Sequence, residues 1–214
     1  DFVFPVIVKP DFEGSSKGIS DKSVAEDAIQ LARVLEETLE IYPAGLIVEQ
    51  YVGGKDVTVP FINGIGADGI LEPVEYLINP SYKRRYDIYD YHLKNEAAHL
   101  VAVRCPAEID PGISSRIREL ARRVVKALDI RDMGRVDFRL GRDGDIHFLE
   151  VNGLPSLEPG AGIFAAAERT GADYPTAVNA IVQSAAQRQG LAALLDPRAK
   201  KPRKKSGNGP FRVG

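Results

Sequence analysis

Two carboxylates and an amide lie close together in residues 133–159, which read MGRVDFRLGRDGDIHFLEVNGLPSLEP. The Asp143-Gly144 pair is typical of the tight turn of a β-hairpin. In a hairpin that turns there, Asp137 and Glu150 are almost opposite each other and are predicted to share one face. Asn152, two residues beyond Glu150, adds a neutral oxygen on the same side.

Opposed carboxylates repel each other unless a cation lies between them. Mg²⁺ is suited to this position, because it binds oxygen ligands and keeps its remaining sites for water and phosphate oxygens. Arg135, two residues before Asp137, adds a fixed positive charge on that face. The pattern therefore predicts a magnesium and phosphate site. The alternative is an edge hairpin whose carboxylates are simply solvated.

A lysine and a Gly/Ser-rich loop lie near the start of the chain. Residues 4–10, FPVIVKP, are a short β-branched run that predicts a buried strand with Lys9 near its end. In the loop at residues 11–18, DFEGSSKG, backbone N–H groups and hydroxyls could bind phosphate oxygens. The alternative for this loop is an ordinary turn.

The rest of the chain predicts an α+β scaffold. A capping box at Ser23 and Glu26 predicts a helix through residues 24–39. Asp110 before Pro111 predicts the start of another helix. A polar stretch rich in Tyr and Lys/Arg, residues 79–95, predicts a functional or mobile loop. Predicted strands occupy residues 46–52, 56–62, 70–78 and 100–104, and two more helices follow residue 160.

Composition narrows the class of protein. The 214 residues are 44% apolar and 27% charged, as in ordinary globular domains, and no apolar run is long enough to span a bilayer. The single cysteine, Cys105, excludes an internal disulfide, which fits a reducing compartment and predicts a cytoplasmic protein. Residues 196–214 carry a net charge of +6, which leaves −8 for the remainder.

That basic tail is predicted to be disordered and solvated. A scaffold that binds nucleic acid or a membrane surface is an alternative that only the basic run at residues 198–205 supports. We therefore expect neither nucleic acid nor membrane as a partner. The chain begins with Asp1 inside what reads as a secondary-structure element, so we expect that an N-terminal part is missing.

Four stretches together resemble one enzyme family. They are VIVKPDFEGSSKG, LIVEQYVGGKDVTV, YDYHLKN, and GRVDFRL with HFLEVNGLP. Over about residues 5–195 the chain resembles the C-terminal two-thirds of a D-alanine–D-alanine ligase, an ATP-grasp enzyme. The resemblance implies an α+β ATP-grasp fold, with antiparallel sheet and helices in two subdomains and without the N-terminal preATP-grasp domain. Residues 1–52 would be part of the small subdomain, residues 53–195 the C-terminal subdomain with the metal site, and residues 196–214 the tail.

The resemblance also implies an activity. The family joins a carboxylate to an amine through an acyl phosphate, forming a C–N bond with release of ADP and phosphate. The implied cofactors are ATP and two Mg²⁺ ions, with Mn²⁺ as the alternative metal. The implied partners are a carboxylate substrate, an amine substrate and the missing N-terminal domain, in cis or on another chain. A homodimer is left open.

The resemblance carries roles onto individual residues. The implied nucleotide-binding residues are Ile7, Lys9, Glu13, Gly14, Ser15, Ser16, Glu49, Gln50, Val52, Asp56, Lys94 and Leu149. Among these, Lys9 and the Gly/Ser loop would bind phosphates, the backbone near Val52 the adenine edge, and Asp56 the ribose hydroxyls. The implied catalytic residues are Ser15, Lys94 and Arg135, and the implied metal ligands are Asp137, Glu150 and Asn152.

The sequence departs from the family at two places. Asn95 stands where the family has a lid tyrosine. In residues 153–161, GLPSLEPGA, Ala161 replaces a serine that helps to hold the second substrate's carboxylate. The changes in residues 153–161 predict an acceptor other than D-alanine. Asn95 and the missing N-terminal domain favour a second interpretation, a nucleotide-binding ATP-grasp module with impaired catalysis, against which the presence of Arg135 argues.

Overall fold

A computed structural model describes residues 3–195 of the chain. These residues form two antiparallel sheets and five α-helices. The strands are β1 (Val6–Pro10), β2 (Val24–Ala25), β3 (Leu46–Gln50), β4 (Gly54–Ile62), β5 (Val74–Ile78), β6 (Val101–Arg104), β7 (Met133–Gly141) and β8 (Ile146–Asn152). The helices are α1 (Ala28–Ile41), α2 (Tyr91–Asn95), α3 (Pro111–Ala127), α4 (Gly162–Glu168) and α5 (Tyr174–Arg188).

The first sheet has the strand order β2-β1-β3 and is covered on one face by α1. Val6 and Val8 of β1 pack against Leu31 and Val34 of the helix. Because alternate residues of a strand face opposite ways, Ile7 and Lys9 lie on the other face. The predicted buried strand β1 is therefore confirmed, and Lys9 lies near its end.

The start of α1 differs from the sequence prediction. The helix begins at Ala28, and the side chain of Asp27 caps it by accepting a 2.8 Å hydrogen bond from the Gln30 N–H. Ser23 instead closes a capping box with Ser20 around a 3-10 turn. Val24, in β2, then pairs with Ile7 of β1. Residues that the local pattern assigned to the helix therefore form a strand, because they pair with β1.

The second sheet has the strand order β6-β5-β4-β7-β8. One face of β4 and β7 packs on α3, where Phe138 and Ile117 are fully buried. On the other face, α4 and α5 cover one end of the sheet, with Phe164 at the centre of that cluster. The uncovered part of this second face carries Arg135, Asp137 and the charged residues near them.

Residues 79–95, predicted as one long loop, are irregular through residue 90 and then form the short helix α2. Within this segment, which we call the lid, Asp90 caps α2 by accepting a 2.9 Å bond from the Leu93 N–H. Ile88 is buried against Ile7, with Tyr86 packed beside them. The lid therefore bridges from the second sheet to the open face of the first.

The predicted disordered tail, residues 196–214, lies outside the residues that the structure describes. Within residues 3–195, no helix combines the length and the apolar character needed to cross a membrane.

Candidate active site

The predicted hairpin is present, and its register places the two carboxylates opposite each other. Asp137 pairs with Glu150, and Arg135 pairs with Asn152. A register shift follows between Asp137 and Phe138, so Leu149 is an extra residue on β8. The prediction that Asp137, Glu150, Arg135 and Asn152 share one face is confirmed by this pairing.

Arg135 and Asp137 form a two-pronged ion pair. Nε and Nη2 of Arg135 each donate a 2.7 Å hydrogen bond to one carboxylate oxygen of Asp137. Burial raises the pKa of the Asp137 carboxyl, and the charge of Arg135 opposes that rise. Burial would lower the pKa of the Arg135 guanidinium, but its bond to Asp137 raises it. The arginine therefore stays charged beside a carboxylate that is only 9% exposed.

Asn152 joins the two carboxylates. Its Nδ2 donates to Oδ2 of Asp137 at 2.9 Å and to Oε1 of Glu150 at 3.1 Å. Three oxygen-bearing side chains thus converge within hydrogen-bond distance, and the donor set fits Mg²⁺, which prefers such ligands and few of them. A half-turn of the amide would present Oδ1 of Asn152 in place of Nδ2. Among residues 3–195 there is no cluster of three or more His, Cys, Asp or Glu that could hold a metal without such help.

The lid and the Gly/Ser loop meet beside this hairpin. Nζ of Lys94, on α2, donates a 2.7 Å hydrogen bond to Oγ of Ser16, which in turn donates to the Tyr89 carbonyl at 3.1 Å. Burial lowers the pKa of Lys94, as does the nearby charge of Arg135, while Asp137 opposes the shift. Lys94 is therefore within electrostatic reach of the hairpin charges.

The loop itself holds two serines in left-handed backbone geometry, Ser15 at φ 55° and Ser16 at φ 61°. Ser15 is exposed, and its hydroxyl makes no hydrogen bond within the described part of the chain. Glu13 pairs with Lys17 at 3.1 Å across the loop, and Gly14 is exposed with open space around it. The loop therefore presents Ser16 to the lid and Ser15 to solvent.

The predicted nucleotide residues lie on both sheets. Lys9 forms an ion pair with Glu49 of the neighbouring strand β3. Ile7 is buried beneath the lid, whereas Leu149 is 45% exposed. Asp56, on β4, accepts a 2.8 Å hydrogen bond from Nη1 of Arg139.

A cavity of about 710 Å³ lies at the connection between the two sheets, residues 50–53, which we call the hinge. Gln50 and Val52, both predicted to contact adenine, line it together with Tyr86 and Asp87 of the lid. Ile7, Leu149 and Asp56 do not line it. Its volume is in the range of small-molecule sites.

The site also contains residues that were not predicted from the sequence. Arg139 has a signal in the sequence, because it continues the alternation of Arg135 and Asp137 along β7. Tyr76 and Tyr89 have none; their rings stack 4.9 Å apart. Burial raises the pKa of Tyr76, and the charge of Arg135 opposes this, which places the ring beside the ion pair.

The two departures from the resemblance also have positions in the structure. Nδ2 of Asn95 donates to the Tyr91 carbonyl at 2.9 Å, within its own helix. Ala161 precedes α4 and provides no side-chain cap. A Cβ on Gly162 would lie 3.0 Å from the Tyr76 hydroxyl, so the start of α4 closely approaches this tyrosine. The exposed Glu158 lies on the same connection, where its carbonyl accepts from the Ala161 N–H at 3.0 Å.

Comparisons with known proteins show which family and fold the chain resembles. A family model described as the D-ala D-ala ligase C-terminus matches residues 1–183. A D-alanine–D-alanine ligase of Thermotoga sp. (strain RQ2) is 30% identical over 88% of this chain and 58% of its own length. An uncharacterized protein, y4sG, of Sinorhizobium fredii is 28% identical over 88% of this chain and 54% of its own.

Among solved structures, the D-alanine–D-alanine ligase of Bacillus anthracis complexed with ATP superposes with a TM-score of 0.64 at 20% identity. That match covers 87% of this chain and 55% of the ligase, and it shows a common ATP-grasp fold. The chain spans about half the length of the curated relatives that it matches.

Proposed function

Because the chain belongs to the D-alanine–D-alanine ligase family, of which it matches the C-terminal part, we propose that it binds Mg-ATP and forms the catalytic half of a carboxylate–amine ligase. The observation that carries this proposal is the convergence of Arg135, Asp137, Glu150 and Asn152 on one face of the β7–β8 hairpin. A structural hairpin would not require a partly buried arginine beside two carboxylates.

The phosphates have three cationic partners in this proposal. Lys9 binds the α- and β-phosphates, which replace Glu49 as its ion-pair partner. Lys94 reaches the γ-phosphate. Arg135 stabilises the charge that develops on the acyl phosphate and on the tetrahedral intermediate. Phosphoryl transfer depends on positioning and electrostatic stabilisation more than on covalent help from the protein, so these roles suffice.

The metal ligands in this proposal are Asp137, Glu150 and Asn152. When bound, Mg²⁺ neutralises phosphate charge and orients the phosphate oxygens. The chain's own part is to hold Asp137 in place through Arg135 and to turn the Asn152 amide toward the shared space. The lid excludes water when the Lys94–Ser16 contact is made.

We assign the base and the sugar to the side of the site near the hinge. Ile7 and Leu149 flank the adenine, the backbone of Glu49, Gln50 and Val52 bonds its edge, and Asp56 accepts from the ribose. Glu13, Gly14, Ser15 and Ser16 cover the phosphates. Gln50 and Val52 line a cavity of about 710 Å³, which supports their own part of this assignment, whereas Ile7, Leu149 and Asp56 do not line it.

The amine substrate is proposed to differ from D-alanine. The connection between Asn152 and α4 carries Glu158 and Pro159, and Ala161 lacks the hydroxyl that a carboxylate would use. An acidic side chain repels a carboxylate and attracts a cation. The acceptor class is therefore an amine without a free α-carboxylate, or a larger amino acid held differently.

A second candidate function is nucleotide binding without catalysis, which one observation favours. Asn95 bonds to the Tyr91 carbonyl of its own helix, and among the described residues its side chain makes no hydrogen bond to the Gly/Ser loop. The two functions are distinguished by phosphate release from full-length protein that binds Mg-ATP. Release that depends on both a carboxylate and an amine supports the ligase, and binding without any release supports the module.

The experiment for the proposed function is calorimetry of the 214-residue chain with Mg-ATP and Mg-ADP. We expect binding, and we expect Lys9→Ala to weaken it by about tenfold or more, because a charge-assisted phosphate contact is lost. Lys126→Ala, which removes an exposed lysine on α3, is the matched control. Absence of heat at millimolar nucleotide with folded protein, or a Lys9→Ala variant that binds like the parent, would contradict the proposal.

A further inference from the structure

Arg139 is a buried arginine that the proposed chemistry does not use. It lies on β7 two residues beyond Asp137, and therefore on the same face of the sheet. Its relative exposure is 7%, similar to that of Asp137. A buried arginine is stable only when its donors are satisfied, so its partners indicate what it holds in place.

Those partners all belong to the nucleotide end of the site. Nε donates to the Val52 carbonyl at 2.8 Å, and Nη1 donates to Oδ1 of Asp56 at 2.8 Å. Nη2 lies 3.5 Å from the Tyr51 hydroxyl, and the guanidinium stands 5.8 Å from the centre of the Tyr51 ring. The guanidinium of Arg139 thus joins β7 to the hinge and to the start of β4.

The same arginine is connected to the lid through Tyr51. The Tyr51 hydroxyl accepts a 3.2 Å hydrogen bond from the Asp87 N–H. The Tyr51 ring meets the Tyr86 ring edge to face, with centroids 5.1 Å apart. The position of Tyr51 therefore depends on Arg139 on one side and on the lid on the other.

We propose that Arg139 is a positioning residue that sets the preference of the site for a nucleotide with intact ribose hydroxyls, which rests on the proposed binding of Mg-ATP. It acts through Asp56 and through the hinge backbone and does not itself touch the nucleotide. Since Arg139 holds Oδ1 of Asp56, the carboxylate presents Oδ2 to the sugar in one fixed orientation. Without that bond, the partly exposed carboxylate is free to turn toward solvent.

The bond to Val52 has a parallel effect on the base. Arg139 satisfies the Val52 carbonyl, whereas the Val52 N–H makes no backbone hydrogen bond within residues 3–195. The residue whose carbonyl Arg139 holds therefore presents an open N–H donor at the hinge, where the adenine edge is assigned. Because one guanidinium fixes both groups, the base contact and the sugar contact are held at a constant separation.

The experiment compares Mg-ATP with Mg-2′-deoxy-ATP and Mg-3′-deoxy-ATP on the full 214-residue chain by calorimetry. We expect the parent to prefer ATP over at least one deoxy nucleotide by about tenfold, the value of a charge-assisted hydrogen bond. Asp56→Asn and Arg139→Met should each reduce that ratio to near one. Their combination should reduce it no further, because both changes disable the same contact.

The ratio of the ATP affinity to the deoxy-nucleotide affinity separates positioning from structural support. A variant that is only partly folded has its apparent affinity for every nucleotide lowered by the same factor, so this ratio does not change. Arg139→Lys keeps the positive charge but lacks the planar guanidinium with its several donors, so it should retain part of the preference. It is also the variant to use if Arg139→Met does not fold. Arg123→Met removes an exposed arginine on α3, on the opposite face of the sheet, and should keep the parental ratio.

The outcomes distinguish this inference from the proposed function. If the parent binds no nucleotide, the proposed function fails. If the parent binds and discriminates, and Asp56→Asn loses the discrimination while Arg139→Met retains it, the role of Arg139 is wrong and the proposed function stands. A parent that binds all three nucleotides equally also overturns the role of Arg139.

Discussion

Lys94 and Ser16 are 78 residues apart in the sequence, and the lysine ammonium donates a 2.7 Å hydrogen bond to the serine hydroxyl. The bond joins the lid to the Gly/Ser loop directly beside the charges of the hairpin. Burial is the largest cause that lowers the pKa of Lys94, and the charges of Asp137 and Glu150 oppose that shift. Ser16 is therefore a partner of the lid as well as a candidate hydrogen-bond donor to the phosphates.

Ser16→Ala is expected to loosen the lid. The variant removes the acceptor of Lys94 and the donor to the Tyr89 carbonyl, and a bond to a charged group contributes about 1.5–3 kcal/mol. Amide hydrogen exchange across residues 79–95 should accelerate about tenfold or more. Ser15→Ala is the matched control, since its exposed hydroxyl makes no such bond, and equal acceleration in both variants would contradict this role.

The two predicted metal carboxylates should respond differently to neutralisation. Glu150 is exposed, so Glu150→Gln should leave the melting temperature without ligand almost unchanged and should lower Mg²⁺-dependent nucleotide affinity. Asp137→Asn should lower that affinity too, but it also weakens the partly buried bond to Arg135. That loss is about 1.5–3 kcal/mol, which lowers the melting temperature by several degrees.

The measurements are thermal unfolding without nucleotide and calorimetry with and without Mg²⁺. Glu75→Gln is a useful contrast, because Glu75 is 2% exposed and holds Arg104 at 2.6 Å, away from the hairpin. It should destabilise the fold without changing the Mg²⁺ dependence of binding. If the Mg²⁺ dependence survives in both hairpin variants, these acids are structural supports.

Cys105 is expected to be a poor nucleophile. Burial is the main cause that raises the pKa of its thiol to about 11, and the charge of Glu72 adds to it. Since the thiolate is the reactive form, alkylation by iodoacetamide at pH 8 should be about tenfold or more slower than that of a small thiol. The rate should rise through the pH range approaching 11 and should become normal in denaturant. Rapid labelling of the native chain at pH 8 would contradict this.

The hairpin was predictable from sequence because its determinants are local. The Asp-Gly turn predicts the hairpin, but the register of the turn, which pairs Leu140 with Ile146, would place Leu149 opposite Asp137. The bulge at Leu149 shifts that register by one residue and brings Glu150 opposite Asp137. The partners of Arg139 were not predictable, since Val52 and Asp56 lie 87 and 83 residues away. No local pattern reports contacts at such separations.

The start of α1 and the exposure of β3 were not predictable for a related reason. Ser23 and Asp27 are both good cap residues, and the choice depends on Val24 pairing with Ile7. The apolar residues of the strand predicted at 46–52 favour burial, but β3 is an edge strand of the described sheet and Ile47 is 39% exposed. In both cases the tertiary position of the strand outweighs the local signal.

The exposed Glu158, on the connection between Asn152 and α4, is expected to determine the acceptor preference. Full-length protein that contains this chain should be a poor D-alanine ligase, because an acidic side chain beside the site disfavours an acceptor carboxylate. Phosphate release should therefore be greater with simple amines, or with larger amino acids, than with D-alanine or D-lactate.

Changing Glu158 separates charge from shape. Glu158→Gln removes the repulsion while keeping the length of the side chain, so D-alanine should become a better acceptor relative to amines, by about tenfold if one charge contact decides the preference. Glu168→Gln, at the far end of α4, is the matched control and should leave the preference unchanged. If the unaltered protein forms D-alanyl-D-alanine at a rate normal for such ligases, Glu158 does not select the acceptor and the repulsion argument is wrong.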